Sequence, residues 1–296
     1  MKLNNLNKIQ EIQIFLTIFL LWFSVQFGAL IEDAISYVFI ITVGVFHGSN
    51  DIFLAATVSK KHTFIKILLK YMLVIILGLI FYYFSPFYAL LSFIIISSFH
   101  FGEQHFENTN STLLKNFFLQ FVYGVFIFTA IFKMHFKEVE IVFLEMTDKT
   151  ITLQSVNYGF RVSLIVLLIT FMYLIVKEKD KREIIKEVFF MLLLLLVFKT
   201  TTLIFSFAVY FIIWHSVPSI ISQLKYISGD LSLTTKLINY LKKGFLFWFL
   251  SFLGMLGLYF FIKDITLLSV ILFTVLFAIT IPHVLIMHRF LGKKAE

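Results

Sequence analysis

The chain has 296 residues, 60% of them hydrophobic and 14% charged, whereas a soluble domain has about 45–50% apolar and about 25% charged residues. That balance excludes a water-soluble enzyme, and the absence of cysteine excludes disulfides, thiolate metal ligands and cysteine nucleophiles. The net charge of +8 sits in short loops between apolar runs, where it sets membrane topology and does not point to nucleic acid.

Apolar runs recur along the whole length, so the expectation is an all-α, polytopic transmembrane helical bundle forming one integral membrane domain over residues 1–296. At about 17 to 25 residues per crossing, ten helices are expected near 12–30, 34–57, 64–84, 86–107, 112–136, 160–176, 184–198, 200–223, 245–262 and 266–290. The first run lacks a small-residue cleavage site and is followed by runs of equal strength. It therefore reads as a first crossing and not as a removed signal. Lys199 closes a short seventh span, and Lys137 to Gly159 reads as an outer loop. Of the 25 Lys and Arg, only Lys133, Lys137, Lys149, Arg161, Lys199 and Lys263 fall on the outer side of a ten-helix arrangement whose termini are both cytoplasmic. The excess of basic residues inside is the expected sign. Pro218 and Pro282 fall within proposed helices, where each removes a backbone hydrogen bond. With 40 Phe in the chain, a Phe beside any chosen residue carries little information.

Eight histidines are present. His62 and His135 lie at helix ends beside lysines and are expected at the solvated interface. The others fall on the second, fourth, eighth and tenth helices, which run in the same direction. His47, His100, His215 and His283 then sit at similar depth, slightly past mid-helix. Ionisable groups in a bilayer are costly and face the bundle interior, which favours one buried cluster over four separate core histidines. Imidazoles without thiolates suit Fe, Zn, Cu or Ni and do not suit Mg or Ca. Asp51, one turn after His47, is placed to accept the second ring N–H of a metal-bound histidine. Glu103 and Gln104 follow His100 closely enough to do the same or to add a ligand, although they approach the membrane edge. His105 and His288 are each five residues past a favoured histidine, on another helix face, and rank second. Gly44, Gly48 and Gly102 remove bulk beside the histidines.

At these positions the chain resembles the Brp/Blh family, the bacterial and archaeal β-carotene 15,15′-dioxygenases and bacterio-opsin-related proteins. The carriers are Gly44, His47, Gly48 and Asp51, then His100, Phe101 and Gly102, then Trp214, His215 and Ser216, and finally Pro282 and His283. The resemblance implies a multi-pass enzyme of the bacterial cell membrane. It would bind Fe(II) through histidines and use O2 to cleave β-carotene at its central double bond, giving two retinal. It makes His47, His100 and His215 iron ligands. It also marks a departure, because Ser219 stands where typical members carry a further ligating histidine one turn after the Trp-His pair. His283 or His105 completes the set, or three histidines and a water do. Phe46, Phe99, Phe101 and Trp214 flank the histidines and are candidates to stack on the polyene.

Two readings from other classes stand beside this one. Intramembrane His and Asp51 also suit a metal-ion or proton transporter, and Ser219 suits a non-catalytic family member. A di-iron desaturase is disfavoured because it needs several His pairs spaced three or four apart.

Overall fold

The computed structural model describes residues 2–58, 63–107, 109, 111–177, 181–227, 231–261 and 268–295, and His62 lies outside them. Every regular element among the described residues is helical. The helices are α1 (Lys2–Gln26), α2 (Ala29–Phe39), α3 (Asp51–Val58), α4 (Phe64–Phe84), α5 (Pro86–His105), α6 (Phe117–Met134) and α7 (Phe136–Thr147). They continue with α8 (Leu153–Lys177), α9 (Arg182–Thr200), α10 (Leu203–Ala208), α11 (Val217–Ile227), α12 (Leu233–Phe261) and α13 (Leu268–Ala295). Two π-helical segments, Ile40–Gly44 and Val209–Ser216, interrupt the α-register.

Among the described residues, eight helices are long and apolar enough to cross a membrane. Two of the ten expected spans are not among them, each for a local reason. The stretch expected as one helix over 34–57 is broken by the π segment and by a turn at residues 47–50. α9 carries Glu183, Lys186, Glu187 and Lys199 within its 19 residues. The stretch expected as an outer loop contains α7, and α8 and α12 begin earlier than expected, at Leu153 and Leu233.

Burial runs opposite to that of a water-soluble protein. Large apolar side chains such as Phe15, Leu30, Leu69, Met172 and Val176 are exposed, while His47, Asn50, Asp51, His100, Gln104, His215, Gln223 and His283 are buried. A hydrocarbon solvent explains both halves of the pattern: apolar side chains cost nothing facing lipid, and polar ones must find partners inside.

The chain divides into two compact units. The first comprises Met1–Ile40, Ser97–Ile141 and Thr150–Pro218. Its centre is α6, which packs on α8 and α9 and buries Leu119, Tyr123, Phe126, Ile127 and Ile131. Two glycines set the approach of α5 to α6. A Cβ on Gly102 would overlap the backbone of Gln120, and one on Gly124 would overlap the backbone of Ser98. These two helices meet backbone to backbone, a contact only small residues permit. His135, at the end of α6, is buried and hydrogen-bonds Ser206 Oγ at 2.9 Å, which corrects the expectation of a solvated side chain. The neighbouring lysine misled that reading: Lys133 lies over the Phe160 ring, 4.1 Å from its centroid.

The second unit comprises Ile41–Ile96, Val142–Lys149 and Ser219–Glu296. There α13 packs against α3, α4 and α12, with Leu54, Met287 and Phe290 in its core. α13 passes through Pro282 without interruption.

Candidate metal centre

Each unit holds one pair of buried histidines. In the second unit, the rings of His47 and His283 lie 4.7 Å apart between centroids at an interplanar angle of 85°. His283 Nδ1 faces both carboxylate oxygens of Asp51, at 2.9 and 3.0 Å, and Tyr71 donates its hydroxyl to Asp51 Oδ2 at 3.1 Å. His47 Nδ1 contacts the Gly44 carbonyl. A carbonyl and a carboxylate only accept, so Nδ1 carries the proton in both rings and Nε2 is the atom each could offer to a metal. Asp51 therefore orients His283, 232 residues away in sequence. His47, its neighbour one turn back, is oriented by its own backbone.

The turn carrying His47 is itself held. Its carbonyl receives Gln223 Nε2 at 3.1 Å and lies 3.1 Å from Tyr240 Oη, while Tyr240 Oη and Gln223 Oε1 are 3.0 Å apart. Asn50 Nδ2 donates to the Tyr240 carbonyl at 3.1 Å. Gly244 on α12 lets the 46–50 turn pack closely, because a Cβ there would strike Ser49, Asn50 and Phe46. Ser219 is buried and lies 3.2 Å from Gln223 Nε2. Its hydroxyl thus belongs to the network that supports the His47 carbonyl.

In the first unit, the His100 and His215 rings are also 4.7 Å apart, at 78°. Phe101 lies 4.7 Å from the His215 ring, and Phe211 stacks on it at 5.7 Å and 12°. Two aromatic walls thus fix that imidazole and keep its surroundings apolar. Glu103 Oε2 is 3.9 Å from His100 Nδ1, beyond hydrogen-bond length. His105 is occupied elsewhere: its Nε2 pairs with Glu187 Oε2 at 2.6 Å, and its ring stacks on Tyr123 at 4.3 Å. Gln104 is buried and donates to Glu107 at 2.5 Å. His288 is exposed. Of the other flanking aromatics, Phe46 packs on Tyr240 and Trp248, Phe99 on Phe117, and Trp214 on Phe190.

The π segments explain how these side chains are aimed. A π-turn inserts one residue into the α-register and rotates the residues after it about the helix axis, a device frequent at functional sites. One segment ends three residues before His47 and the other contains His215. In each, a side chain from another helix takes up a segment carbonyl. Trp248 Nε1 donates to Ile41 O at 2.8 Å, and Gln13 donates to Ile213 O.

Residues 38–290 match the family described as beta-carotene 15,15'-dioxygenase. The chain belongs to that family. No curated protein and no solved structure matches it. The match spans all four paired histidines and Asp51. This member of the carotenoid dioxygenase family is a membrane protein whose described residues form helices, and the buried imidazoles of each unit, with no thiolate in the chain, fit a nitrogen-ligated transition metal. Tyr71, Asn50, Gln223, Tyr240 and Gly244 were not singled out from the sequence. Their one common signal is a polar or small residue within or beside an apolar run, a pattern too frequent in this chain to select five positions.

Proposed function

We propose that this family member is a non-haem iron dioxygenase of the bacterial cell membrane that cleaves β-carotene at the central 15,15′ double bond, giving two retinal. The observation that carries the reading is a paired, buried imidazole set in each unit, all within the stretch that matches the family. In this reading His47, His100, His215 and His283 are the Fe(II) ligands, and the chain works as one membrane domain with both termini cytoplasmic, as its basic loops suggest. Bound iron would supply the activation of O2 for reaction with the polyene.

The overall change balances without any further reactant. The C15=C15′ and O=O bonds break and two C=O bonds form, so both oxygen atoms end in aldehydes and no proton or external electron is consumed. That stoichiometry suits a site walled by Phe101 and Phe211. The protein's own part is to hold and to exclude. Asp51 and the Gly44 carbonyl fix the tautomers of His283 and His47, and Tyr71 in turn fixes Asp51. The apolar surroundings keep water from a reacting polyene and accept a hydrocarbon that arrives from the lipid.

The test is expression in a β-carotene-producing bacterial host, with His47→Ala as control and chromatography of the pigments. Retinal from the wild type alone is the expected result. Unchanged β-carotene beside well-folded, membrane-inserted protein would overturn it. Metal-dependent flux without oxygen consumption would then favour a transporter, and an iron-free protein a non-catalytic member.

A further inference from the structure

Gln13 lies on α1, outside the stretch that matches the family, yet it bonds to the segment that carries His215. The local backbone explains why such a bond is needed. Through Val209–Ser216 the helix is in the π-register. At its end the Val217 N–H reaches back five residues to Ile212 O, and Ser216 Oγ likewise reaches Phe211 O at 2.7 Å. In that register the donor for Ile213 O belongs to residue 218, and residue 218 is proline, which has no N–H. A buried carbonyl in an apolar setting is costly without a donor. Gln13 Nε2 donates to Ile213 O at 2.9 Å, and Gln13 is itself 6% exposed.

A second bond from the same helix involves the next residue, Trp214. Its Nε1 donates to Thr17 Oγ1 at 3.1 Å, and Thr17 Oγ1 donates in turn to the Gln13 carbonyl at 2.7 Å. Thr17 has no exposed surface. α1 therefore grips residues 213 and 214 immediately before His215.

We propose that Gln13 is a positioning residue: its amide stands in for the N–H that Pro218 lacks and so sets the π-register that aims His215. The inference rests on the reading of His215 as an iron ligand. Removing a group that orients a metal ligand typically costs about tenfold to a hundredfold in metal affinity.

The test uses Gln13→Met, which keeps length and removes the donor, and the double variant Gln13→Met with Pro218→Ala, which restores a backbone donor at 218. Hydrogen–deuterium exchange over residues 209–219 and anaerobic Fe(II) titration are read on the purified full chain. Gln13→Met is expected to speed exchange in that segment about tenfold and to weaken Fe(II) binding by at least as much, and the double variant to recover both. Unchanged exchange in Gln13→Met, or a folded double variant that recovers neither property, would overturn the proposal. Exchange that responds and recovers in a wild type that binds no Fe(II) would support the hold of Gln13 on the segment and overturn the iron reading.

Discussion

His283 Nδ1 and the carboxylate of Asp51 meet at 2.9 and 3.0 Å across a separation of 232 residues. A histidine whose second nitrogen is tied to a carboxylate has one tautomer and one ring orientation. This relationship makes His283 the better oriented of the two histidines proposed as iron ligands in the second unit. Asp51→Asn keeps the volume but weakens the acceptor, and it should lower Fe(II) affinity by about tenfold to a hundredfold with little change in folding. Asp51→Ala should also unfold more readily, by roughly 1–3 kcal/mol, because the Tyr71 hydroxyl then loses its buried acceptor. Iron titration and detergent-phase thermal unfolding on both variants separate the two effects.

His105 and His283 compete as the fourth ligand in the sequence, and their partners differ. His105 is paired with Glu187 and stacked on Tyr123. His105→Ala should retain its iron and lose stability, whereas His283→Ala should lose iron and activity together. Iron content of the two purified variants decides between them, and equal loss in both would contradict this assignment.

The contact of α5 with α6 predicts that Gly102→Ala and Gly124→Ala are each destabilising. The added methyl meets backbone, which cannot rotate away. The cost should exceed the roughly 1–3 kcal/mol of ordinary core overpacking, and Gly102→Ala should also disturb His100 two residues before it. Unfolding temperature with and without bound iron measures both.

His135 supplies a pH dependence outside the membrane spans. Burial, the larger influence, holds its imidazole below the ordinary value, opposed by Glu138 and by a hydrogen bond to the Phe198 backbone. The folded state then binds the proton less readily than the unfolded chain. Stability from this site is complete above about pH 6.5, the ordinary histidine value, and falls as pH drops below it toward the lowered folded value. His135→Gln should flatten that part of the stability curve, measured as denaturation midpoint against pH.

Much of this was legible in the sequence, because hydrocarbon solvent writes a simple code. Eight of the ten expected apolar helices, and the burial of His47, His100, His215 and His283, follow from composition and from the cost of an unpartnered polar group in lipid. The break at residues 47–50 was not legible. What holds it is Gln223 and Tyr240, which are 176 and 193 residues away from His47. The partner of Asp51 was hidden in the same way. Helical spacing pointed to His47, and the turn at residues 47–50 breaks the helical spacing between the two residues. His135 was misjudged because a flanking lysine resembles an interface signal whether or not the histidine turns inward to Ser206.

The most direct test of the account is a turnover measurement on purified protein reconstituted anaerobically with Fe(II) and then given β-carotene and O2, beside the four single His→Ala variants at 47, 100, 215 and 283. The account predicts one iron per chain in the wild type, two retinal for each β-carotene consumed, and loss of both iron and product in all four variants. Retinal formed without bound iron, or full iron content and activity in any one of the four, would contradict it.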